Sequence, residues 1–352
     1  MELPASLLEE VRSGRVVLFL GAGASRDATL ANGNPSPLGG DLGRLLAARF
    51  LGDDYKDDEL SLIADLAASE SSLGEVQDYI RELLVDLAPT KSHLALPTFT
   101  WRAIVTTNYD QLIEEGYRKE PSRLQRVISI LSDHDKIDSA LRSPETIGLL
   151  KLHGCITRTR DPELPLILTI DQYVTHRRMR NRLFTTFSEW ALEYTVVYIG
   201  HSMKDSDVRA VLNEVSGDSQ MRPRHYLVRP AMGDAEIRLW ERKRIGVLGG
   251  TFADFIDALE GSIPSTVRRL SALVDLALPI QNHFESREAP SEQLKASLEV
   301  DLEHVHPALP LEPAQPTAFF RGFGFRWSPI AGGWDVKRKL SDTLLLDVIL
   351  RA

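Results

Sequence analysis

Short apolar runs alternate with longer amphipathic stretches along most of this chain of 352 residues. The runs are rich in Val and Ile, as buried strands are, whereas the stretches between them repeat apolar residues at helical spacing. This alternation predicts an α/β fold, in which helices cover a mostly parallel sheet. The predicted strands are Val16–Leu20, Ala103–Thr107, Val127–Leu131, Gly148–Leu152, Leu166–Ile170, Thr195–Ile199, Tyr226–Val228 and Ile245–Leu248.

The order of the elements favours a Rossmann-like, doubly wound sheet. About 80 residues separate the first two predicted strands, too many for a simple crossover, so we expect an inserted helical layer at about residues 38–90. The predicted helices are Leu38–Leu51, Glu59–Ser69, Leu73–Leu87, Tyr109–Arg118, Tyr173–Glu193, Ser206–Val215, Asp234–Lys243, Phe252–Glu260 and Thr266–Leu278.

Near residue 280 the character of the sequence changes. Prolines 307, 310, 313 and 316 recur at every third residue, the repeat of a polyproline II helix. We therefore expect a domain at residues 1–280, a stiff linker at 281–317 and a C-terminal extension at 318–352. That extension ends in an apolar helical pattern, Leu340–Leu350, and the chain has no G-x-x-x-x-G-K-[ST] phosphate loop. It is either the start of a further domain of a longer protein or a helix that docks back on the first domain or on a second subunit.

Composition excludes several classes of protein. The formal net charge of -9 offers no broad cationic field for non-specific nucleic-acid binding. Cys155 is the one cysteine, so neither an internal disulfide nor a zinc site of several thiolates can form, and we expect it to be a small buried apolar residue. No apolar run approaches the roughly 20 residues that span a bilayer. We expect a cytoplasmic protein without a membrane partner.

Two polar segments follow predicted strands in the first half of the chain. Gly21-Ala-Gly-Ala-Ser25 ends the first strand, where small residues let backbone N–H groups approach a pyrophosphate, although a tight turn would explain the same residues. Thr106-Thr-Asn-Tyr-Asp110 ends the second. An amide beside a carboxylate can orient a substrate and a water, or Asn108 can simply cap the next helix.

Two further segments follow later strands. Lys151-Leu-His-Gly154 offers an imidazole for acid–base work, but a lone histidine is more often structural. Gly200-His-Ser-Met-Lys-Asp205 allows close backbone approach at Gly200, although Asp205 or Ser206 can simply cap the next helix. A basic run at residues 176–182 fits a solvated helix face better than a binding patch.

Taken in this order, the four segments resemble the sirtuin family, and most closely the bacterial Sir2-like domains of antiviral defence proteins. The resemblance covers about residues 8–259. It implies that Asn108 and His153 are catalytic, with Asp110 contacting the carboxamide. It also implies that NAD is the substrate, bound by Gly21, Ala22, Gly23, Ser25, Thr107, Asp110, Gly200, His201 and Ser202.

The departures from deacylating sirtuins are as informative as the likeness. The deacylases carry a four-cysteine zinc ribbon, which one cysteine cannot build, so we expect no zinc and no metal. Residues 26–38 also lack the deacylase run that follows the glycine turn and contain Pro35-Ser-Pro instead. The resemblance therefore implies an NAD+ glycohydrolase, the effector of an antiphage abortive-infection system. The alternatives are a module that senses NAD or ADP-ribose without turnover and, less favoured, a protein deacylase.

The resemblance also implies partners. An unrestrained NAD hydrolase would poison its own cell, so we expect a homo-oligomer whose assembly controls turnover. The aromatic segment after residue 318 is similar to the lead-in of a STAND-type NTPase, which makes a fused or partner NTPase and a phage-derived trigger further expectations.

Overall fold

The computed structural model of the chain describes residues 1–30, 33–135, 145–175, 179–203, 205–216, 222–265 and 268. Residues Met1–Arg269 form one compact unit. The second unit, Leu270–Ala352, lies outside the described residues, as do the predicted linker, the C-terminal extension and most of the predicted helix Thr266–Leu278.

A parallel sheet of seven strands forms the centre of the first unit, in the order β3-β4-β2-β1-β5-β6-β7. This confirms the predicted α/β fold. The order reverses at β1, because the chain extends the sheet from β1 toward β3 and then returns to add β5 on the other side. The strands are β1 Val16–Leu20, β2 Ala103–Thr106, β3 Arg126–Ile130, β4 Thr146–Lys151, β5 Thr195–Ile199, β6 His225–Arg229 and β7 Ile245–Gly249.

Helices connect and cover the strands. They are α1 Ala5–Arg12, α2 Gly39–Phe50, α3 Leu60–Glu70, α4 Leu73–Leu84, α5 Lys91–Ala95, α6 Leu112–Lys119, α7 Ile170–Thr175, α8 Asn181–Glu193, α9 Ser206–Ser216, α10 Asp234–Arg242 and α11 Phe252–Ser262. Short 3-10 turns lie at Ala22–Ser25, Asp53–Tyr55, Leu96–Thr98 and Ile156–Arg158. Among the helices that the structure describes, none combines the length and the apolar character that crossing a bilayer requires.

Side-chain alternation along β1 builds a core on each face of the sheet. Leu18 faces a cluster with α1, α5, α6 and α11, whereas Phe19 faces a cluster with α8, α9 and α10. A third cluster joins α2, α3 and α4 of the predicted insertion, which bury residues such as Leu46, Ile63 and Ile80, to buried residues after β2 and β4, including Leu112 and Leu166. The insertion is therefore a helical layer that shares its core with the segments after these strands.

Two predicted elements are wrong. Leu166–Ile170 is not a strand, although Leu166 is fully buried. Its backbone N–H groups bond elsewhere: Leu166 donates to Oε1 of Gln77 at 2.6 Å, and Ile167 donates to the His153 carbonyl at 2.9 Å. Because loop and side-chain partners satisfy this backbone, it needs no neighbouring strand.

The predicted helix Tyr173–Glu193 is two helices, α7 and α8. Arg180, between them, has a φ of -135° and belongs to neither. The prediction of a solvated basic run also fails at this residue, because Arg180 is only 1% exposed. The backbone is therefore not helical at Arg180, and the charged side chain of this residue is buried.

A substitution at Gly200 tests how tightly the turns after β1 and β5 pack. Gly200 has a φ of +65°, and a Cβ there would lie 2.3 Å from the backbone N of Ala24. We expect Gly200→Ala to lower the free energy of unfolding by about 2–4 kcal/mol. Gly261→Ala is the matched control, because its Cβ would meet open space. Urea unfolding of both variants is the measurement, and equal midpoints would contradict this packing.

Three buried histidines predict how stability depends on pH. His93, His201 and His225 each accept a backbone N–H at Nδ1. Burial lowers the pKa of His93 and His201 to about 4 and that of His225 to about 3, from an ordinary 6.5. The folded state thus holds these rings neutral, while the unfolded chain takes up protons below pH 6.5.

The stability that they contribute is present above pH 6.5 and is lost as the pH falls toward 4. We expect a loss of about 1.4 kcal/mol per pH unit for each histidine, measured by urea unfolding between pH 7.5 and 5. His225→Gln, whose amide oxygen can accept the Val196 N–H, is expected to reduce this slope. A slope unchanged in the variant would show that His225 does not titrate as described.

Candidate active site

The turns after β1 and β5 meet backbone to backbone where the strand order reverses. Gly23 N donates to the Gly200 carbonyl at 2.8 Å, and Gly21 N donates to the Ile199 carbonyl at 2.9 Å. A Cβ on Gly21 or Gly23 would lie 2.7–2.8 Å from backbone atoms of Gly200. The glycines are therefore required for contact between the turns themselves. Ala22 is exposed at this edge, and Ser25 is buried.

Asn108 does not cap α6. Its Nδ2 donates to the Gly21 carbonyl and to Oγ of Ser25, both at 3.1 Å. Its backbone N donates to Oγ1 of Thr106 at 3.0 Å, and that hydroxyl donates to the Leu20 carbonyl at 2.7 Å. Because these bonds leave Oδ1 unused, the half-buried amide is held by its nitrogen and can offer its oxygen to a substrate hydroxyl or a water.

Asp110 ties the glycine turn to α6. Its Oδ2 accepts from Ser25 Oγ at 2.8 Å, and its Oδ1 accepts from the Leu112 backbone N at 3.0 Å. The carboxylate is 7% exposed. Thr107, between the strand and Asn108, is half-buried. Ser25, Asn108 and Asp110, predicted from two separate segments, thus form one hydrogen-bonded group.

His153 lies beside this group because β2 and β4 are neighbours. The register pairs Thr106 with Lys151, so that Asn108 and His153 each follow a paired residue by two positions. The segment after His153 is anchored to the segment of Asn108: Ile156 N donates to the Tyr109 carbonyl at 3.0 Å, and Tyr109 Oη donates to the Ile167 carbonyl at 2.6 Å.

Asp205 faces His153 from the start of α9. Its Oδ2 lies 3.7 Å from Nε2 of His153, and its Oδ1 accepts the backbone N–H groups of Asp207 and Val208. The predicted capping role of Asp205 is therefore confirmed. Tyr173 packs edge-on against His153 with ring centroids 5.3 Å apart, and burial, reinforced by Asp205, raises the pKa of Tyr173.

Negative charge is concentrated beside His153. One donor atom each from His153, Asp205 and Asp207 lies within 4.8 Å of the others, the one such group of possible metal ligands among the described residues. We make no metal assignment from it. Its electrostatic effect is to favour a positive charge next to the imidazole.

His201 and Ser202, the remaining predicted site residues, differ in their exposure to solvent. His201 is buried against Phe19, with ring centroids 5.1 Å apart, and its Nδ1 accepts the Met203 N–H, so its ring supports the turn from within. Ser202 is exposed at the surface of the same turn. Cys155 is buried, as predicted.

Sequence reasoning did not predict the contacts of three charged residues around the site. These residues are Lys151, Arg180 and Asp205, the last of which faces His153. Arg180 donates from Nη2 to the Pro165 carbonyl at 2.8 Å and from Nε to the Leu131 carbonyl at 3.2 Å. Burial lowers its pKa to about 10, which leaves it charged at neutral pH. A lysine closing the apolar strand β4 is the one signal that could have pointed to Lys151.

A surface cavity of the described residues is lined by Arg238, Glu241 and Arg242 and includes no predicted site residue. Ligands of open α/β sheets bind where the strand order reverses, and the polar group at the sheet edge lies at that point.

Residues 102–248 match the family model of the SIR2-like domain. This stretch, less than half of the chain, is similar to a SIR2-like domain. The matched residues include the segments of Asn108, His153 and Gly200, while the glycine turn after β1 precedes them. The predicted resemblance to Sir2-like proteins is thus confirmed.

Two curated relatives are similar to more than half of this chain. The chain is 24% identical over 329 residues to "Defense-associated sirtuin 2" of Bacillus subtilis, which covers 87% of this chain and 30% of the relative. It is 25% identical over 229 residues to "NAD(+) hydrolase ThsA" of Acinetobacter baumannii, covering 63% and 44%. The chain therefore spans less than half the length of either relative.

Solved Sir2 structures are also similar. A Sir2 homologue in complex with NAD matches with a TM-score of 0.43 and 12% identity, covering 76% of this chain and 96% of that one. A mutant Sir2 homologue in complex with ADP-ribose matches with a TM-score of 0.42 and 14% identity, covering 78% and 99%. The fold described above rests on the strand order and register of this chain alone.

Replacing Ser25 tests whether Ser25, Asn108 and Asp110 are held together by one set of hydrogen bonds. Ser25→Ala removes the donor to Asp110 and the acceptor of Asn108, leaving a buried carboxylate oxygen without its partner. We expect the free energy of unfolding to fall by about 1–3 kcal/mol. The exposed Ser122→Ala is the control, expected within about 0.5 kcal/mol of the unmodified chain. Equal free energies of unfolding for the two variants, measured in urea, would contradict these hydrogen bonds.

Proposed function

We propose that this chain hydrolyses NAD+ to nicotinamide and ADP-ribose. The observation that carries the proposal is the pairing of Asn108 and His153 at matched positions after neighbouring strands, beside the point where the sheet order reverses. A module that only bound NAD would not need both groups. The names of the two curated relatives, a defence-associated sirtuin and an NAD+ hydrolase, support the same reaction.

The proposed reaction does not need a strong nucleophile. The nicotinamide of NAD+ is a cationic leaving group that departs neutral, so that positive charge moves to the ribose in an oxocarbenium-like transition state. What the site must supply is a water in position and negative charge near the ribose. The fixed amide of Asn108 suits the first task, and Asp205 beside His153 suits the second.

Each residue then has a role in the proposal. Asn108, held through Nδ2, orders a ribose hydroxyl and the attacking water through Oδ1. His153 accepts the proton that this water releases as its oxygen bonds to the ribose carbon and the nicotinamide–ribose bond breaks. Asp110 holds the carboxamide end. Ala22, Thr107 and Ser202, exposed or half-buried at the same edge, are the proposed contacts to phosphate and ribose together with Gly21, Gly23 and Gly200.

We also propose a biological setting on the strength of the relatives. The chain acts as the NAD-consuming effector of an antiphage, abortive-infection response, as a homo-oligomer whose assembly controls turnover. A fused or partner NTPase and a phage-derived trigger belong to the same proposal. Turnover should then depend on the assembled state at equal active-site concentration.

Nicotinamide release from NAD+ by Asn108→Ala and His153→Ala is the decisive measurement. We expect each variant to lose about 100-fold to 10,000-fold in turnover, because positioning and proton transfer contribute on that scale. Asn213→Ala and His134→Ala remove the same side-chain types from exposed positions and should keep full turnover.

Full turnover in both site variants would refute the assigned roles. NAD or ADP-ribose binding without nicotinamide release, in isolated chain and in assembly alike, would favour the sensing module instead. Removal of an acyl group from a lysine peptide would favour the deacylase.

A further inference from the structure

Lys151 is a buried lysine that the proposed mechanism does not use. It ends β4, two residues before His153, and is 0% exposed. The strand before it is apolar and buried from Ile147 onward. Because burying an ammonium group is costly unless it is paired and hydrogen-bonded, its contacts should explain its presence.

Those contacts run to the segment of Asn108. Lys151 Nζ donates to the Asp110 carbonyl and, at 3.1 Å, to Oε1 of Glu114 on α6. Glu114 in turn accepts from Ser129 Oγ on β3 at 3.0 Å. Burial alone would lower the pKa of Lys151, but the Glu114 carboxylate keeps it above the ordinary value. The ammonium is therefore charged at neutral pH and bonded to the loop and to the helix that follows it.

The backbone makes Lys151 a link between the two segments of the site. Lys151 is the register partner of Thr106, and the next residue, Leu152, donates its N–H to the Thr106 carbonyl at 2.9 Å. Beyond that bond the two segments separate into loops, which the bond from the Ile156 N–H to the Tyr109 carbonyl joins again farther along. The Lys151 side chain crosses from the base of one loop to the Asp110 carbonyl in the other.

We infer that Lys151 is a positioning residue, which holds the loop of Asn108 and Asp110 in place relative to His153. Glu114 is its counter-charge and anchors the link on α6. The kinetic part of this inference rests on the proposed NAD hydrolysis, whereas the mechanical part, the restraint on residues 107–114, does not.

The test compares two variants with a control of matched stability. Lys151→Met removes the link but leaves the half-buried Glu114 carboxylate without its cation. The double variant Lys151→Met with Glu114→Gln removes both charges and keeps a side-chain acceptor for Ser129, so that it stays folded if the single variant does not. Leu259→Ala, in the apolar core at α11, lowers stability without touching the site and serves as the control.

Hydrogen exchange is the first readout. We expect the backbone amides of residues 107–114 to exchange faster in the double variant than in the unmodified chain. In the Leu259→Ala control, measured at the same interval below its own melting temperature, these amides should stay protected. Equal protection of residues 107–114 in double variant and control would overturn the link.

Kinetics on NAD+ is the second readout. A displacement of about 1 Å between reacting groups costs about 100-fold in rate, so we expect a fall in kcat of that order with a much smaller change in KM. A kcat no lower than that of the control would overturn the positioning role. If the unmodified chain releases no nicotinamide in any state, the proposed function fails, and the exchange measurement still decides whether Lys151 restrains the loop.

Discussion

The contact between the turns after β1 and β5 determines where everything else in this site can lie. Gly23 donates to the Gly200 carbonyl at 2.8 Å, and neither residue has room for a Cβ. The two halves of the sheet leave this contact in opposite directions, so loops from both halves share an edge here. Asn108 extends the contact by donating to the Gly21 carbonyl, which brings the third loop to the same point.

Much of the charge near this contact is buried and paired with backbone. Asp110 accepts from Leu112 N, Arg180 donates to two carbonyls, and Lys151 donates to one. Bonds of this kind fix loop geometry, because each charged group is costly to bury without its partner. The neutral His201 and His93 complete the surroundings. The loops are thus held by polar contacts, while the strands beneath them are held by apolar ones.

Sequence patterns predicted the elements whose burial is periodic. β1, β5 and α9 begin and end within a residue of prediction, because their apolar residues recur at strand or helix spacing. The same reasoning failed at Leu166, where an apolar run is a buried loop whose N–H bonds to Gln77, a residue 89 positions earlier. No local pattern carries that information.

The site residues likewise divide into those that a local sequence pattern predicts and those that it does not. Strand ends could be predicted from sequence, so Asn108 and His153 were placed at the sheet edge in advance. The charged residues that hold them were not. Arg180 lies in a run of basic residues that is typical of a solvated helix, and its two carbonyl partners are 15 and 49 positions away in the chain. Tertiary contacts alone reveal that it is buried.

Cys155 gives this loop a natural reporter. It is the single thiol of the chain, 2% exposed, and lies two residues after His153, next to the Ile156 N–H that bonds to the Tyr109 carbonyl. A thiol reagent can reach the sulfur only when this segment separates from its surroundings. The rate of labelling therefore measures how often this segment of the His153 loop opens, in the unmodified chain and without an introduced probe.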